Sequence, residues 1–163
     1  MDRLTNLVGA LAVALTDRMA ATNSERAALV TLLAHPGCTV SWLAEVLDLT
    51  SSGATRLVER LAAAGWVRRS PGPDARQRRL TLTIDGAARA ADVLDDRRAR
   101  VAAVLAGLSP IERRGFETVV EKLVAGLTAD RTAALRICRL CDRDACCGAR
   151  GDGCPLRHVE RDG

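Results

Sequence analysis

The sequence predicts a mainly α-helical fold that carries one small β-hairpin, of two to three strands. Three observations lead there. Apolar residues recur at helical spacing over most of the 163 residues. One stretch switches to alternation: Leu80, Leu82 and Ile84 are separated by Thr81 and Thr83, the pattern of a half-buried strand. Glycine and proline stand where the helical patterns stop or restart, at Pro36-Gly37, Gly65 and Pro110.

Taken in order, Leu4, Leu7, Val8, Leu11, Leu15 and Met19 line one face of a first helix. Asn23 or Ser24 caps a second, with Leu29, Val30, Leu32 and Leu33 on its buried side. His35-Pro36-Gly37 ends it, and His35 reads as a helix-end histidine rather than a ligand. Cys38 to Val40 is short and extended. Ser41 to Leu47 forms a third helix with Trp42, Leu43, Val46 and Leu47 inward, and Asp48-Leu49-Thr50 is a turn. Thr50, Ser51 and Ser52 offer hydroxyl caps to a fourth helix. Its face is Leu57, Val58 and Leu61, its off-face residues include Arg56, Glu59 and Arg60, and Gly65 ends it. Trp66 to Arg69 is the expected partner of the Leu80 strand, across S-P-G-P-D-A-R-Q-R-R. Asp85-Gly86 opens a long helix marked by Leu94, Val101, Val104, Leu105 and Leu108. Ser109 caps the last helix, with Pro110 at its first position. Phe116, Val119, Val120, Leu123, Val124 and Leu127 give it an apolar stripe larger than one small domain needs.

Composition narrows the function. The net charge is +4 and the pI about 9.0, which suits a polyanionic partner. Lys122 is the only lysine, and five arginines fall between Arg68 and Arg79. Arginine is the better residue for bidentate contact with phosphate and guanine. Aromatic residues make up 2% of the chain (Trp42, Trp66 and Phe116), too few to stack single-stranded bases. No long apolar run and no signal-peptide layout is present, so a cytoplasmic protein without a membrane partner is expected. No nucleophile–base pair or nucleotide loop stands out, and no enzymatic activity is expected.

The pattern S-x-x-T-R-L-V-x-x-L-x-x-x-G-W-V-x-R from Ser52, followed by a hairpin with D-x-R that closes on R-x-L-x-L-T, resembles the recognition helix and wing of the MarR family. Those proteins are winged helix-turn-helix regulators, and the resemblance extends more loosely from about Leu4 to Leu127. It implies a regulator domain over residues 1–135, with residues 24–84 as its DNA-binding lobe. The third helix would be the first of the helix-turn-helix. The first and last two helices would pack on a second chain, giving a homodimer. Its two recognition helices would meet successive major grooves of a pseudo-palindromic operator about 34 Å apart. Expected phosphate contacts are Ser51, Ser52, Arg68, Arg69, Arg78, Arg79 and the helix's leading amides. Thr55, Arg56 and Arg60 are expected to read bases in the major groove. The resemblance further implies that Arg76 enters the minor groove, held by Asp74.

Residues 136–163 read separately, as a cysteine-rich tail. C-R-L-C-D-R-D-A-C-C-G-A-R-G-D-G-C-P places Cys138, Cys141, Cys146, Cys147 and Cys154 within seventeen residues. Two C-x2-C knuckles would indicate structural zinc, but only one exists. The irregular spacing and the closing C-P suit an iron–sulfur cluster better. The tail also resembles a cysteine-rich extension carried by some MarR-like regulators. On that match the ligands are Cys138, Cys141, Cys146 and Cys154, with Cys147 able to replace Cys146. Zinc is the alternative, with His158 as a possible further ligand, and a metal-free thiol switch is another. In the switch, Arg136, Arg139, Arg143 and Arg150 would lower the thiol pKa values. The expected function is a transcription regulator, a repressor, sensing redox, metal or nitrosative state. A regulator answering a small organic effector near the dimer interface is the remaining alternative.

Overall fold

The computed structural model describes residues 3–19, 23–72, 78–148 and 153–160. Helix α1 (Arg3–Met19) leads into α2 (Ser24–Ala34), which Asn23 caps by accepting from the Arg26 amide at 3.0 Å. Strand β1 is Cys38–Thr39, and α3 spans Val40–Leu47 with Thr39 as its cap. Asp48 then takes a left-handed conformation, φ 56°, and turns the chain into α4 (Ser51–Ala63). Among the three candidate caps of that helix Thr50 serves, accepting from the Gly53 amide at 3.1 Å.

The end of α4 shows why Gly65 is a glycine. The Gly65 amide donates to the Ala62 carbonyl and the Trp66 amide to the Leu61 carbonyl, each at 3.0 Å. This paired closure needs a left-handed residue, and Gly65 has φ +77°. Strands β2 (Val67–Pro71) and β3 (Arg78–Leu82) follow, antiparallel, with Val67 opposite Leu82 and Arg69 opposite Leu80. β1 pairs on the other side of β3, with Cys38 opposite Leu80. The sheet order is β1-β3-β2, so the hairpin expected from the sequence gains a two-residue third strand.

The core sits under this sheet. Leu29, Leu32, Leu43, Leu57, Val58, Leu61, Val67, Leu80 and Ala90 form one buried cluster, with Trp66 and Cys38 packed against it. Thr83 caps α5 (Ile84–Leu105) and also donates its hydroxyl to the Gly65 carbonyl at 2.7 Å. Capping and helix closure are therefore joined at one residue. Ser109 and Glu112 then form a reciprocal capping box at the start of α6 (Pro110–Gly126), which holds the Glu112 carboxyl below its ordinary range.

The apolar stripes of the terminal helices remain uncovered within one chain. Leu4 is 70% exposed, Leu123 55% and Leu127 75%, and α6 has no fully buried residue. After α6 the chain turns at Thr128–Asp130 rather than prolonging that helix. Asp130 caps α7 (Arg131–Cys138), which packs against α3. Two short helices follow, α8 (Arg143–Cys147) and α9 (Arg157–Glu160).

Gly86 permits the approach of α5 to β2. A Cβ there would lie 2.0 Å from the Trp66 carbonyl oxygen, which is backbone and cannot rotate away. Gly86→Ala is expected to destabilise the protein by about 2–3 kcal/mol, the cost of forced overpacking. Thermal unfolding measures this, and an unchanged midpoint would contradict the packing described.

Candidate nucleic-acid interface and cysteine site

Helix α4 presents a mixed surface. Ser51 and Ser52 are exposed at the start of α4, and Thr55 and Arg56 are exposed one turn later. The Thr55 hydroxyl donates to the Ser51 carbonyl at 2.9 Å. Arg60 is exposed too, but its Nε lies 3.2 Å from Glu25 of α2. Arg68, Arg69 and Arg78 are exposed on the hairpin. Arg79 points differently: half-buried, it donates from Nη1 to the Gly37 carbonyl at 2.9 Å and so braces the loop before β1. Asp74 and Arg76 lie outside the described residues.

The cysteines converge from the other side. Asp142 caps α8 by accepting from the Ala145 amide at 3.1 Å and takes a second bond from Arg98 of α5 at 2.9 Å. These interactions, the amide bond first, hold its carboxyl below the usual range. Gly148 has φ +67° and ends α8, and the Gly153 amide returns to the Cys147 carbonyl at 3.0 Å. That turn brings Cys154 back to the two cysteines of α8. The sulfurs of Cys146, Cys147 and Cys154 all lie within 4.8 Å of one another. Cys138, at the end of α7, and Cys141 line the same cavity as these three, and Leu156, 2% exposed, forms part of its wall.

All six cysteines are free and half-buried. The five of the tail interact in sequence: Cys138 with Cys141, Cys141 with Cys146, and Cys154 with both Cys146 and Cys147. The side-chain interaction with Cys141 holds Cys138 below the ordinary thiol value, and the Cys141 Sγ lies 3.6 Å from the Asp142 carbonyl oxygen. The same interaction with Cys138, together with burial, pushes Cys141 up. Burial raises Cys146 to about 12 and Cys147 to about 11. The expectation that nearby arginines would lower these values is thus corrected. Arg143 acts on Cys138 and Cys147 only as a lesser influence, and Arg150 lies outside the described residues. An all-sulfur set of half-buried cysteines is a soft donor site, and a thiophilic metal binds such groups as thiolates.

Two residues near this site have partners that the sequence reading did not foresee. His35 lines the cysteine cavity, stacks on Trp42 with ring centres 4.9 Å apart, and has Nε2 3.2 Å from Arg143. Arg136 binds the end of α3. Neither carries a local signal, because each partner is distant in sequence. The His158 side chain lies outside what is described.

Residues 22–78 match the family model of the MarR family. The chain has a winged helix-turn-helix fold similar to that of MarR-family proteins. It is similar to a Mycobacterium tuberculosis MarR-family protein solved with p-aminosalicylic acid, with 29% identity over 75% of this chain and 98% of that one, at a TM-score of 0.57. It is also similar to a MarR-family regulator from Silicibacter pomeroyi (26% identity, 78% of this chain, 89% of that one, TM-score 0.54). The Staphylococcus aureus regulator MepR, of a multidrug efflux pump, shares the fold at 18% identity (78% of this chain, all of that one, TM-score 0.66). None of the curated proteins compared with the chain matches it. It shares its architecture with these proteins. Among the described residues no helix is long and apolar enough to cross a membrane.

The lone cysteine of the MarR-type lobe differs from the others. Burial pushes the Cys38 thiol up to about 11, against the lesser opposing effects of a backbone hydrogen bond and the Arg79 charge. At about pH 8 its alkylation should run on the order of a hundredfold slower than that of an exposed cysteine, because the thiolate is the reactive form. The rate should keep rising with pH until about 11. Peptide mass spectrometry after timed iodoacetamide treatment reads this, and labelling at the exposed rate would refute it.

Proposed function

We propose that the protein is a homodimeric, sequence-specific regulator of transcription, acting as a repressor on double-stranded DNA, with the cysteine site as its sensor. The observation that carries the sensing half is the convergence of five half-buried thiols on one cavity. The uncovered stripes of α1 and α6 support the dimer, since contiguous apolar surface of that kind marks an interface.

On DNA, Arg56 and Thr55 are the base-reading candidates, because both are exposed on α4. Ser51, Ser52, Arg68, Arg69 and Arg78 would position the helix on phosphates. Arg60 and Arg79 would first have to leave Glu25 and the Gly37 carbonyl. Arg76, with Asp74, keeps its proposed minor-groove role. Arg76→Ala should weaken binding at least about tenfold without unfolding the protein. The probe is a duplex enriched from a random-sequence pool by the wild-type chain, and equal affinity in a gel-shift titration would remove Arg76 from the interface.

The metal reading is an iron–sulfur cluster held by Cys138, Cys141, Cys146 and Cys154. Support comes from the all-sulfur donor set and from its breadth. Among the described residues the mutually close group is Cys146, Cys147 and Cys154, while Cys141 reaches the group through Cys146 and Cys138 through Cys141. One tetrahedral zinc needs four thiolates about 3.8 Å apart, given Zn–S bonds of about 2.3 Å. A cluster spreads its ligands over several irons. The compact trio favours the second reading, a single zinc with Cys147 as a ligand. Anaerobically purified protein should be brown and contain iron and acid-labile sulfide. Colourless protein with stoichiometric zinc would decide for the second reading, and metal-free protein would leave only the thiol switch.

A further inference from the structure

We propose that the cysteine site acts on the recognition helix within a single chain, with Arg136 as a positioning residue at the turn between α3 and α4. This rests on the reading that the thiols hold a metal. It places the coupling inside the lobe rather than in the spacing of the dimer helices.

The last carbonyls of a helix lack partners in the helix itself. For α3, Arg136 supplies one: its Nε donates to the Glu45 carbonyl at 3.2 Å. Its Nη2 lies 2.8 Å from Oδ1 of Asp48, the left-handed residue that redirects the chain into α4. The Thr132 hydroxyl donates to the Glu45 carboxylate at 2.9 Å, one helical turn before Arg136. From α2, the Thr31 hydroxyl donates to the Arg139 carbonyl at 3.3 Å. Helix α7 is thus tied to α2 and to the end of α3 by side chains that flank Cys138.

The path onward is short. Asp48 and Leu49 donate their amides to the Ala44 carbonyl, and Thr50 caps α4. Whatever fixes Asp48 fixes the direction in which α4 leaves the turn. A guanidinium fork can serve a carbonyl and a carboxylate at once, and its charge suits a helix C-terminus. The pair is exposed, with side chains at 41% and 75%, so it adds little to global stability and can be removed without unfolding the lobe. Closing thiolates around a metal fixes the end of α7 at Cys138, and with it Arg136 two residues earlier.

The test is hydrogen exchange on the full-length chain, loaded with iron or zinc as purified and then stripped by chelation under reducing conditions. In the wild type, metal should slow exchange at residues 48–54 at least about fivefold, the lower end of common coupling strengths. In Arg136→Ala the metal content should be unchanged while the difference falls below about twofold. Arg136→Lys keeps the charge without the fork. It should keep the melting temperature and still lack the metal-dependent protection, whereas a purely electrostatic brace would be restored by lysine. Equal exchange in loaded and stripped wild type overturns the proposal, as does a difference that survives in Arg136→Ala. Protein that takes up neither metal overturns the metal reading on which the proposal rests, and the direct metal measurement separates that failure from the first two.

Discussion

The close seating of α5 on the backbone of Trp66 is the constraint on which the winged lobe depends. The Trp66 carbonyl accepts the Thr83 amide at 3.0 Å, and only a residue without a side chain can follow at position 86. Thr83 meanwhile bonds the Gly65 carbonyl. The end of α4, the start of β2, the end of β3 and the start of α5 are thereby fixed to one another. Helix α4 and the hairpin are joined through backbone groups and the Thr83 hydroxyl. Polar groups buried at such a junction must be paired, which leaves few alternative arrangements.

A second junction has the opposite character. The end of α3 meets α7 through long, exposed side chains, chiefly Arg136 and Thr132. Such contacts contribute modest free energy and reorganise easily. The lobe therefore has one rigid seam at the hairpin and one adjustable seam at the helix turn, with the thiol cavity next to the adjustable one. The two seams let the contacts around α7 rearrange without disturbing the packed core.

Much of this was legible in the sequence where the signal was local. Gly65 after Leu57, Val58 and Leu61, and the alternation of Leu80 and Leu82, placed α4 and the hairpin because period and turn chemistry are properties of neighbouring residues. The Ser109–Glu112 cap lies in four consecutive residues. The third strand at Cys38–Thr39 was readable only as an extended segment, since its partner Leu80 is forty-two residues on. The bracing of Gly37 by Arg79 and of Glu45 by Arg136 left no trace, because an arginine bound to a carbonyl looks like any other arginine. For the same reason the arginine-rich hairpin reads in sequence as more available to phosphate than its geometry allows. The cysteine spacing announced a soft-metal site but not the order of its thiols, which depends on the Gly153 return to Cys147.

The sheet order has a consequence for the protein in concentrated solution. Its two edge strands, β1 and β2, each present backbone groups to which another chain could add a strand. β1 has two residues, too few to template a neighbour. β2 carries exposed Arg68 and Arg69 and ends on Pro71, which has no amide to donate. Charge and proline on an edge discourage strand addition between copies. Arg68 and Arg69, whatever else they contact, thus guard the protein against aggregation through this sheet.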